Sequence, residues 1–162
     1  MRMELIQPFI NAADAVLAET LNCSTRMGDV AMEVEVYRRK GVAAIVVIHG
    51  DIEGRVIFDL DSQTAVNVAS ALAGTQVSES ESVVCETVCE LANLVIGNAV
   101  TTLNDQGFRF KIAPPEIHSA DAGSIGFYAC NYNRVEGFGQ IEPSQKIVAF
   151  AGSVKQCGMT IS

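Results

Sequence analysis

The sequence predicts an α+β fold in which helices, including one long central helix, pack on one face of a mostly antiparallel sheet. Three observations favour it: a long amphipathic segment at mid-chain, several β-branched runs joined by short turns, and helical segments that alternate with groups of strands. No linker or low-complexity segment interrupts the 162 residues, so residues 1–162 are predicted to form a single domain.

Composition and charge limit the partners and the cellular compartment that we expect for this protein. Hydrophobic residues make up 49% of the chain, which indicates a substantial core. The net charge of −8 argues against binding to nucleic acid or to an anionic membrane, because both need clustered Lys and Arg. The five cysteines are odd in number and irregularly spaced, and the N-terminus resembles neither a signal peptide nor a membrane span. We therefore expect a cytoplasmic protein with reduced thiols.

The first segment, Leu5 to Leu21, has apolar residues at helical spacing and predicts an amphipathic helix. Proline is tolerated in the first turn of a helix because its missing N–H would be unpaired there in any case. Pro8 therefore predicts that the helix begins near Ile6 or Gln7.

Three strands are predicted next. Residues 29–39 alternate between apolar and polar side chains, which is typical of a half-buried strand. Residues 42–49 are almost continuously apolar and β-branched, which favours a central strand covered on both faces. Residues 55–60 form the third run, and the short links between the runs predict an antiparallel meander.

Two helices follow the strands. Asp61 or Ser62 is a suitable N-cap for the first, and Gly74 a suitable end. Asp59 and Asp61 at the preceding strand end are also explained more simply by capping than by a metal pair. The second helix is predicted over Ser80–Leu103, with Ser78 or Ser80 as its N-cap.

The C-terminal part is predicted to be mainly β-structure. Residues 108–112 alternate as a strand, and residues 119–143 form a long excursion with one short strand at 125–130. Residues 145–151 and 157–161 are predicted to close the fold as an antiparallel pair. Exposed edges of such a sheet need protection, and homodimerisation is one way to provide it.

The central helix has two contrasting faces at 100° per residue. One is a predicted core stripe that consists of Val84, Val88, Leu91, Val95 and Thr102. The opposite face is a polar ridge that consists of Ser82, Glu86, Glu90, Asn93, Gly97 and Asn104. We expect this ridge to face a partner, with Glu86 and Gly97 contributing to binding.

The pair Glu90-x-x-Asn93 is the candidate catalytic constellation on the ridge. Residues three apart on a helix have Cβ atoms about 5–6 Å apart, so both side chains can address one small target. A carboxamide both donates and accepts hydrogen bonds and can orient a water, whereas a carboxylate favours a cation. This spacing alone is common on solvated helix faces, so the neighbouring residues must decide whether the pair is a catalytic motif.

Those surroundings match a known pattern. Glu90-Leu-Ala-Asn93 is followed by Gly97-Asn98-Ala99 and then by Pro114-Pro115, and 50–58 reads Gly-Asp-Ile-Glu-Gly-Arg-Val-Ile-Phe. Together with the Gln-Pro-Phe of residues 7–9, this run resembles the CheX branch of the CheC/CheX/FliY family of bacterial chemotaxis phosphatases. Glu86 departs from the family pattern, which often has a small polar residue or Asp there, and the proline spacing is slightly short.

The resemblance implies an enzyme that dephosphorylates the phospho-aspartate of a CheY-like response regulator. Asn93 would orient the attacking water, and Glu90 would pair with the regulator's active-site lysine. Mg²⁺ would be held by the regulator, so this chain would need no cofactor or metal of its own. The resemblance also implies a homodimer.

Two alternative functions stay open. The same fold can act as a non-catalytic module that binds a response regulator or another signalling protein. Glu86 favours this alternative, because its charge can hinder productive docking near a phosphoryl group. An assembly subunit akin to flagellar switch proteins is disfavoured, because those proteins lack the intact Glu/Asn pair.

Two further motifs receive structural interpretations. A second E-x-x-N occurs at Glu19–Asn22, but it lies at a helix end and no Gly-Asn-Ala follows it. Cys85 and Cys89 lie one helical turn apart and can in principle hold a metal, yet no histidine has a matching spacing. We interpret them as small, partly buried apolar residues.

Overall fold

A computed structural model describes residues 3–22, 25–26, 39–51, 53–78, 82–119 and 148–151, which form three helices and five strands. The helices are α1 (Met3–Leu21), α2 (Ser62–Ala73) and α3 (Ser82–Asp105). The strands are β1 (Gly41–Gly50), β2 (Gly54–Asp61), β3 (Phe110–Ile112), β4 (Glu116–His118) and β5 (Val148–Ala151). The predicted strands at 29–39, 125–130 and 157–161 lie outside the described residues.

The sheet is built around β1. This strand pairs antiparallel with β2 on one side and with both β3 and β4 on the other. The antiparallel β1–β2 hairpin and the mostly antiparallel sheet are therefore as predicted. β5, however, lies parallel to β2. This parallel contact was not predicted, because the two strands are far apart in the sequence and two helices lie between them. The predicted antiparallel partner of residues 145–151, at 157–161, lies outside the described residues.

One face of the sheet carries the helices. Alternate residues of β1 and β2 join the helices in one core, and these are Val42, Ala44, Val46, Ile48, Val56, Phe58 and Leu60. The intervening residues Ala43, Ile45 and Ile57 form a separate buried cluster on the other face. The prediction that β1 is covered on both faces is thus confirmed, and it explains why its sequence is apolar rather than alternating.

Helix α1 begins earlier than the sequence predicts. It starts at Met3, so Pro8 lies inside the helix rather than in its first turn. A proline there lacks the N–H that would donate to the carbonyl of Glu4, at a cost of about 3 kcal/mol. Burial of Ile6 and Phe9 offsets this cost and keeps the preceding turn helical.

Helix α2 begins and ends at the predicted residues. The Asp61 carboxylate accepts hydrogen bonds from the backbone N–H of Thr64 at 2.9 Å and from its hydroxyl at 2.6 Å. These two bonds, the hydroxyl first, lower the pKa of Asp61. Gly74 ends the helix in the left-handed conformation.

Asp59 does not cap a helix, contrary to the prediction. It is 1% exposed, and its carboxylate accepts hydrogen bonds from the backbone N–H of Lys40 at 2.6 Å and of Gly41 at 3.3 Å. A buried carboxylate needs such donors, and here they belong to the residues that lead into β1. Asp59 therefore fixes the start of β1 against β2.

Helix α3 lies within two residues of its predicted bounds, and Ser80 lies outside the described residues. After it, the N–H of Gly107 donates to the carbonyl of Asn104, and the N–H of Phe108 donates to that of Leu103. This turn absorbs Phe108 and shortens the predicted strand 108–112 to β3. Strand β4 follows the two prolines and was not predicted, because three residues show no periodicity.

Candidate functional site

Helix α3 is the rigid support of the candidate site. It contacts α1, α2 and the strands β1 to β4. Its buried residues are Val84, Val88, Leu91, Ala92, Val95, Ile96, Ala99, Val100 and Leu103. Four of the five residues of the predicted core stripe are among them. Thr102 is exposed instead, because the buried face shifts toward Val100 and Leu103 near the C-terminal end.

The polar ridge of α3 is available at the surface. Glu86, Glu90 and Asn93 are exposed, and Gly97 is half-buried. At 1.5 Å per residue, the ridge from Glu86 to Gly97 is about 16 Å long. The structure therefore brings all four predicted site residues together on one side of a buried helix.

Glu90 and Asn93 have no side-chain partner among the described residues. Within the part of the chain that the structure describes, neither side chain makes a hydrogen bond or an ion pair. Asn104, a third carboxamide on this helix, is different, because its Oδ1 accepts a hydrogen bond from the backbone N–H of Phe110 at 2.9 Å. Asn104 thus has a structural role in the turn to β3, whereas the carboxamide of Asn93 has no such role among the described residues.

The charge on this helix has one sign. Helix α3 carries Glu86, Glu90 and Asp105 and contains no Lys or Arg. Carboxylates one turn apart, such as Glu86 and Glu90, repel each other by a few tenths of a kcal/mol. Nothing within α3 neutralises this repulsion, and a cation brought by a partner would relieve it.

Sequence reasoning overlooked Leu94, which lies directly after Asn93. It is 41% exposed, although the other leucines of this helix, Leu91 and Leu103, are buried. A leucine within an otherwise polar surface was the signal that could have identified it. The polar ridge therefore has an apolar residue at its side, next to the candidate catalytic pair.

The second E-x-x-N motif is not a comparable pair. Helix α1 ends at Leu21, so Glu19 is helical but Asn22 is not. Asn22 has a positive φ of 50°, the conformation of a residue that terminates a helix. The two side chains consequently lack the i, i+3 geometry that Glu90 and Asn93 have.

Neither cysteine of α3 is part of a recognisable metal site. Cys85 and Cys89 are half-buried, and Cys85 packs against the core. The described residues contain no group of three or more His, Cys, Asp or Glu side chains arranged to hold a metal ion. This part of the molecule therefore offers side chains for hydrogen bonding and ion pairing.

The chain matches the family model described as chemotaxis phosphatase CheX over residues 42–130. This range is more than half of the chain and includes the whole polar ridge. This chain belongs to the CheX family. The resemblance inferred from Glu90, Asn93 and the neighbouring motifs is confirmed.

Individual relatives agree with this assignment. The CheY-P phosphatase CheX of Thermotoga maritima is 22% identical over 120 residues, which cover 74% of this chain and 77% of the relative. A CheX from Borrelia burgdorferi, crystallised in complex with CheY, BeF₃ and Mg²⁺, is 35% identical, with a TM-score of 0.60 over 73% of this chain and 78% of that chain. A CheC-like superfamily protein from Shewanella sp. PV-4 has a TM-score of 0.69 at 22% identity, over 74% and 78% of the two chains. These neighbours confirm the α+β fold.

Helix α3 is also long and apolar enough to cross a membrane by length and composition alone. It has one buried face in this structure and packs on the sheet and on both other helices. A core helix of a globular domain has the same length and composition, so we assign α3 to the core.

Proposed function

We propose that this chain is a phosphatase that hydrolyses the phospho-aspartate of a CheY-like response regulator. The observation that carries the proposal is the pair Glu90 and Asn93 on the exposed face of α3, where neither side chain has a partner among the described residues. Membership of the CheX family supports it, as does the Borrelia burgdorferi relative that was crystallised with CheY.

Asn93 is the catalytic residue in this proposal. Its carboxamide oxygen accepts a hydrogen bond from a water molecule and directs the water oxygen at phosphorus, opposite the aspartyl oxygen. The new P–O bond forms as the bond to the aspartyl oxygen breaks, which yields inorganic phosphate and a free aspartate carboxylate. Positioning supplies most of the rate enhancement in such a reaction, so one carboxamide on a rigid helix is sufficient.

Glu90 aligns the two proteins. A lysine ammonium in the regulator's active site would form an ion pair with this carboxylate, one helical turn from Asn93. The pair would be desolvated in the complex, where charge pairing determines which partner binds productively. Mg²⁺ would belong to the regulator and neutralise charge on the phosphoryl group, so catalysis would use no metal bound by this chain.

Glu86 and Gly97 complete the proposed partner-binding surface. Glu86 lies one turn before Glu90 and extends the acidic side of the ridge, and Gly97 lies one turn after Asn93. We also propose that the protein acts in the cytoplasm as a homodimer. Among the described strands, the sheet ends at β5 on one side and at β3 and β4 on the other, and pairing of such edges would protect them.

The test of catalysis is the decay of a phosphorylated regulator. A CheY-like protein from the same organism is phosphorylated with Mg²⁺ and a small phosphodonor, the donor is removed, and phosphate release is followed with and without this chain. We expect Asn93→Ala to reduce the acceleration about 100-fold or more, because the water loses its orienting group. Asn98→Ala is the matched control, since it removes an exposed carboxamide about 140° further round the same helix.

The same experiment separates the enzyme from the non-catalytic module. If the unaltered chain binds the regulator but leaves its dephosphorylation rate unchanged, the module is correct and the catalytic proposal is wrong. If Asn93→Ala accelerates phosphate release as well as the unaltered chain does, Asn93 is not the catalytic group. Circular dichroism of each variant establishes that the helix content is retained.

A further inference from the structure

Gly97 is an unexpected residue at its position. It lies in the interior of α3, eight residues before the helix ends at Asp105. Glycine is a poor residue for a helix interior, because it loses more conformational entropy than alanine when it becomes ordered. A left-handed backbone conformation does not account for it either, since its φ is not positive. The helix is therefore less stable with glycine than with alanine at this position, although its backbone conformation does not require glycine.

Packing within the fold does not require a glycine there. A Cβ atom added to Gly97 would meet no heavy atom within 4 Å. Gly41 is different, because a Cβ at that position would overlap the backbone at Leu60 to Ser62. Alanine would thus fit at position 97 without displacing any neighbour.

A neighbouring side chain binds the backbone at this position. The hydroxyl of Thr101 donates a hydrogen bond to the carbonyl oxygen of Gly97 at 2.9 Å. This bond is additional to the backbone ladder, and such bonding to the i−4 carbonyl does not strengthen a helix. Helix α3 is nevertheless continuous through Gly97.

The position of Gly97 relative to the catalytic pair suggests why a glycine lies there. Gly97 is four residues after Asn93 and seven after Glu90, so all three lie on the same side of α3. Leu94 and Thr101 are the exposed residues beside it. A shallow notch, defined by Asn93, Leu94, Gly97 and Thr101, therefore adjoins the carboxamide that is proposed to orient water.

We infer that this notch admits the main chain of the regulator loop that carries the phospho-aspartate, and that Gly97 sets how closely this loop approaches Asn93. The inference rests on the proposed function. A complex in which a 35% identical CheX binds CheY with BeF₃ and Mg²⁺ indicates a protein partner with a phosphoryl-type group for this family. Glycine is the residue that lets another backbone approach a helix most closely. Gly97 is thus a positioning residue, since it would act through the distance between Asn93 and the phosphorus.

The test uses two substitutions, Gly97→Ala and Gly97→Leu. Both should lower the activity, although Gly97→Ala should make the fold more stable. Gly97→Ala should raise the melting temperature by about 2–4 °C, because alanine stabilises a helix interior. The same variant should lower kcat/KM for regulator dephosphorylation about 10-fold, and Gly97→Leu about 100-fold, because misplacement by about 1 Å has effects of this size. Thr102→Leu places the same leucine side chain at an exposed position about 140° round the same helix and should change kcat/KM less than twofold.

Binding is measured in parallel, by titration with the regulator in the presence of BeF₃⁻ and Mg²⁺. We expect Gly97→Leu to weaken this binding at least 10-fold. If Gly97→Ala and Gly97→Leu are as active as the unaltered chain, or if Gly97→Ala melts at a lower temperature, the inference is wrong and the proposed function stands. If the unaltered chain binds without hydrolysis and Gly97→Leu abolishes binding, the notch is supported and the catalytic proposal fails. If the unaltered chain neither binds nor hydrolyses, both are overturned.

Discussion

Leu94 provides a quantitative test of where the regulator docks. This side chain is 41% exposed and lies at the side of the polar ridge, directly after Asn93. A protein bound over Asn93 should therefore cover it. Leu94→Ala removes that contact and leaves both catalytic side chains in place. Helix α2 contains a matched control in Leu72, which is 42% exposed on a different helix.

The expected magnitude follows from the exposed fraction. Full burial of a leucine side chain contributes about 1.5–3 kcal/mol, and about two fifths of Leu94 is still exposed before docking. Covering the remainder would contribute about 0.6–1.2 kcal/mol. One factor of ten corresponds to about 1.4 kcal/mol, so Leu94→Ala should raise KM about 3- to 8-fold. The value of kcat should change little, because the leucine does not contact the phosphoryl group.

The assay is the initial rate of phosphate release at increasing concentrations of phosphorylated regulator. Melting temperatures of both variants should change by similar amounts, since both leucines are about equally exposed and both substitutions introduce alanine into a helix. An unchanged KM for Leu94→Ala would exclude Leu94 from the docking surface. An equal rise in KM for Leu72→Ala would attribute the effect to general destabilisation and would refute the reasoning from exposure.

Two further predictions concern the elements that position α3. Asp61→Ala removes the N-cap of α2 and should lower the free energy of unfolding by about 1 kcal/mol at neutral pH, measured by urea denaturation. Because the folded pKa of Asp61 lies below its ordinary value, the stabilisation is complete above about pH 4 and is lost as the pH falls through the folded pKa. Equal stabilities of Asp61→Ala and the unaltered protein at pH 7 would contradict this prediction. Gly50→Ala should destabilise the protein by about 2 kcal/mol or more, because Gly50 has a φ of +142° and a Cβ there would overlap the carbonyl oxygen of Arg109. If Gly50→Ala melts at the same temperature as the unaltered protein, this prediction is wrong, and β1 and β3 can move apart at Gly50 without loss of stability.

Local sequence signals determined the elements whose cause is local. The N-cap at Asp61 and the end of α2 at Gly74 follow from backbone chemistry within a few residues. The two faces of α3 follow from helical periodicity, which depends only on side-chain spacing. The candidate pair Glu90 and Asn93 could be located for the same reason, because residues three apart on a long helix must share a face.

Features that depend on distant residues could not be predicted in this way. The start of α1 ahead of Pro8 depends on burial of Ile6 and Phe9 in the core, which outweighs the local preference of proline. The buried role of Asp59 depends on the backbone N–H groups of Lys40 and Gly41, which the antiparallel pairing of β1 with β2 brings beside it.

The sequence by itself determined the fold class, the long central helix and the polar ridge with its candidate catalytic pair, because each is a pattern of spacing along a single element. Tertiary structure decided which residues of that ridge are free to act. Asn104 accepts a hydrogen bond from the backbone of Phe110, whereas Asn93 has no partner among the described residues, although both are exposed carboxamides on the same helix. Tertiary structure also placed β5 parallel to β2 and left Leu94 exposed beside the pair. The physical reason is that these outcomes depend on packing and hydrogen bonding between elements, which the periodicity of one segment does not encode.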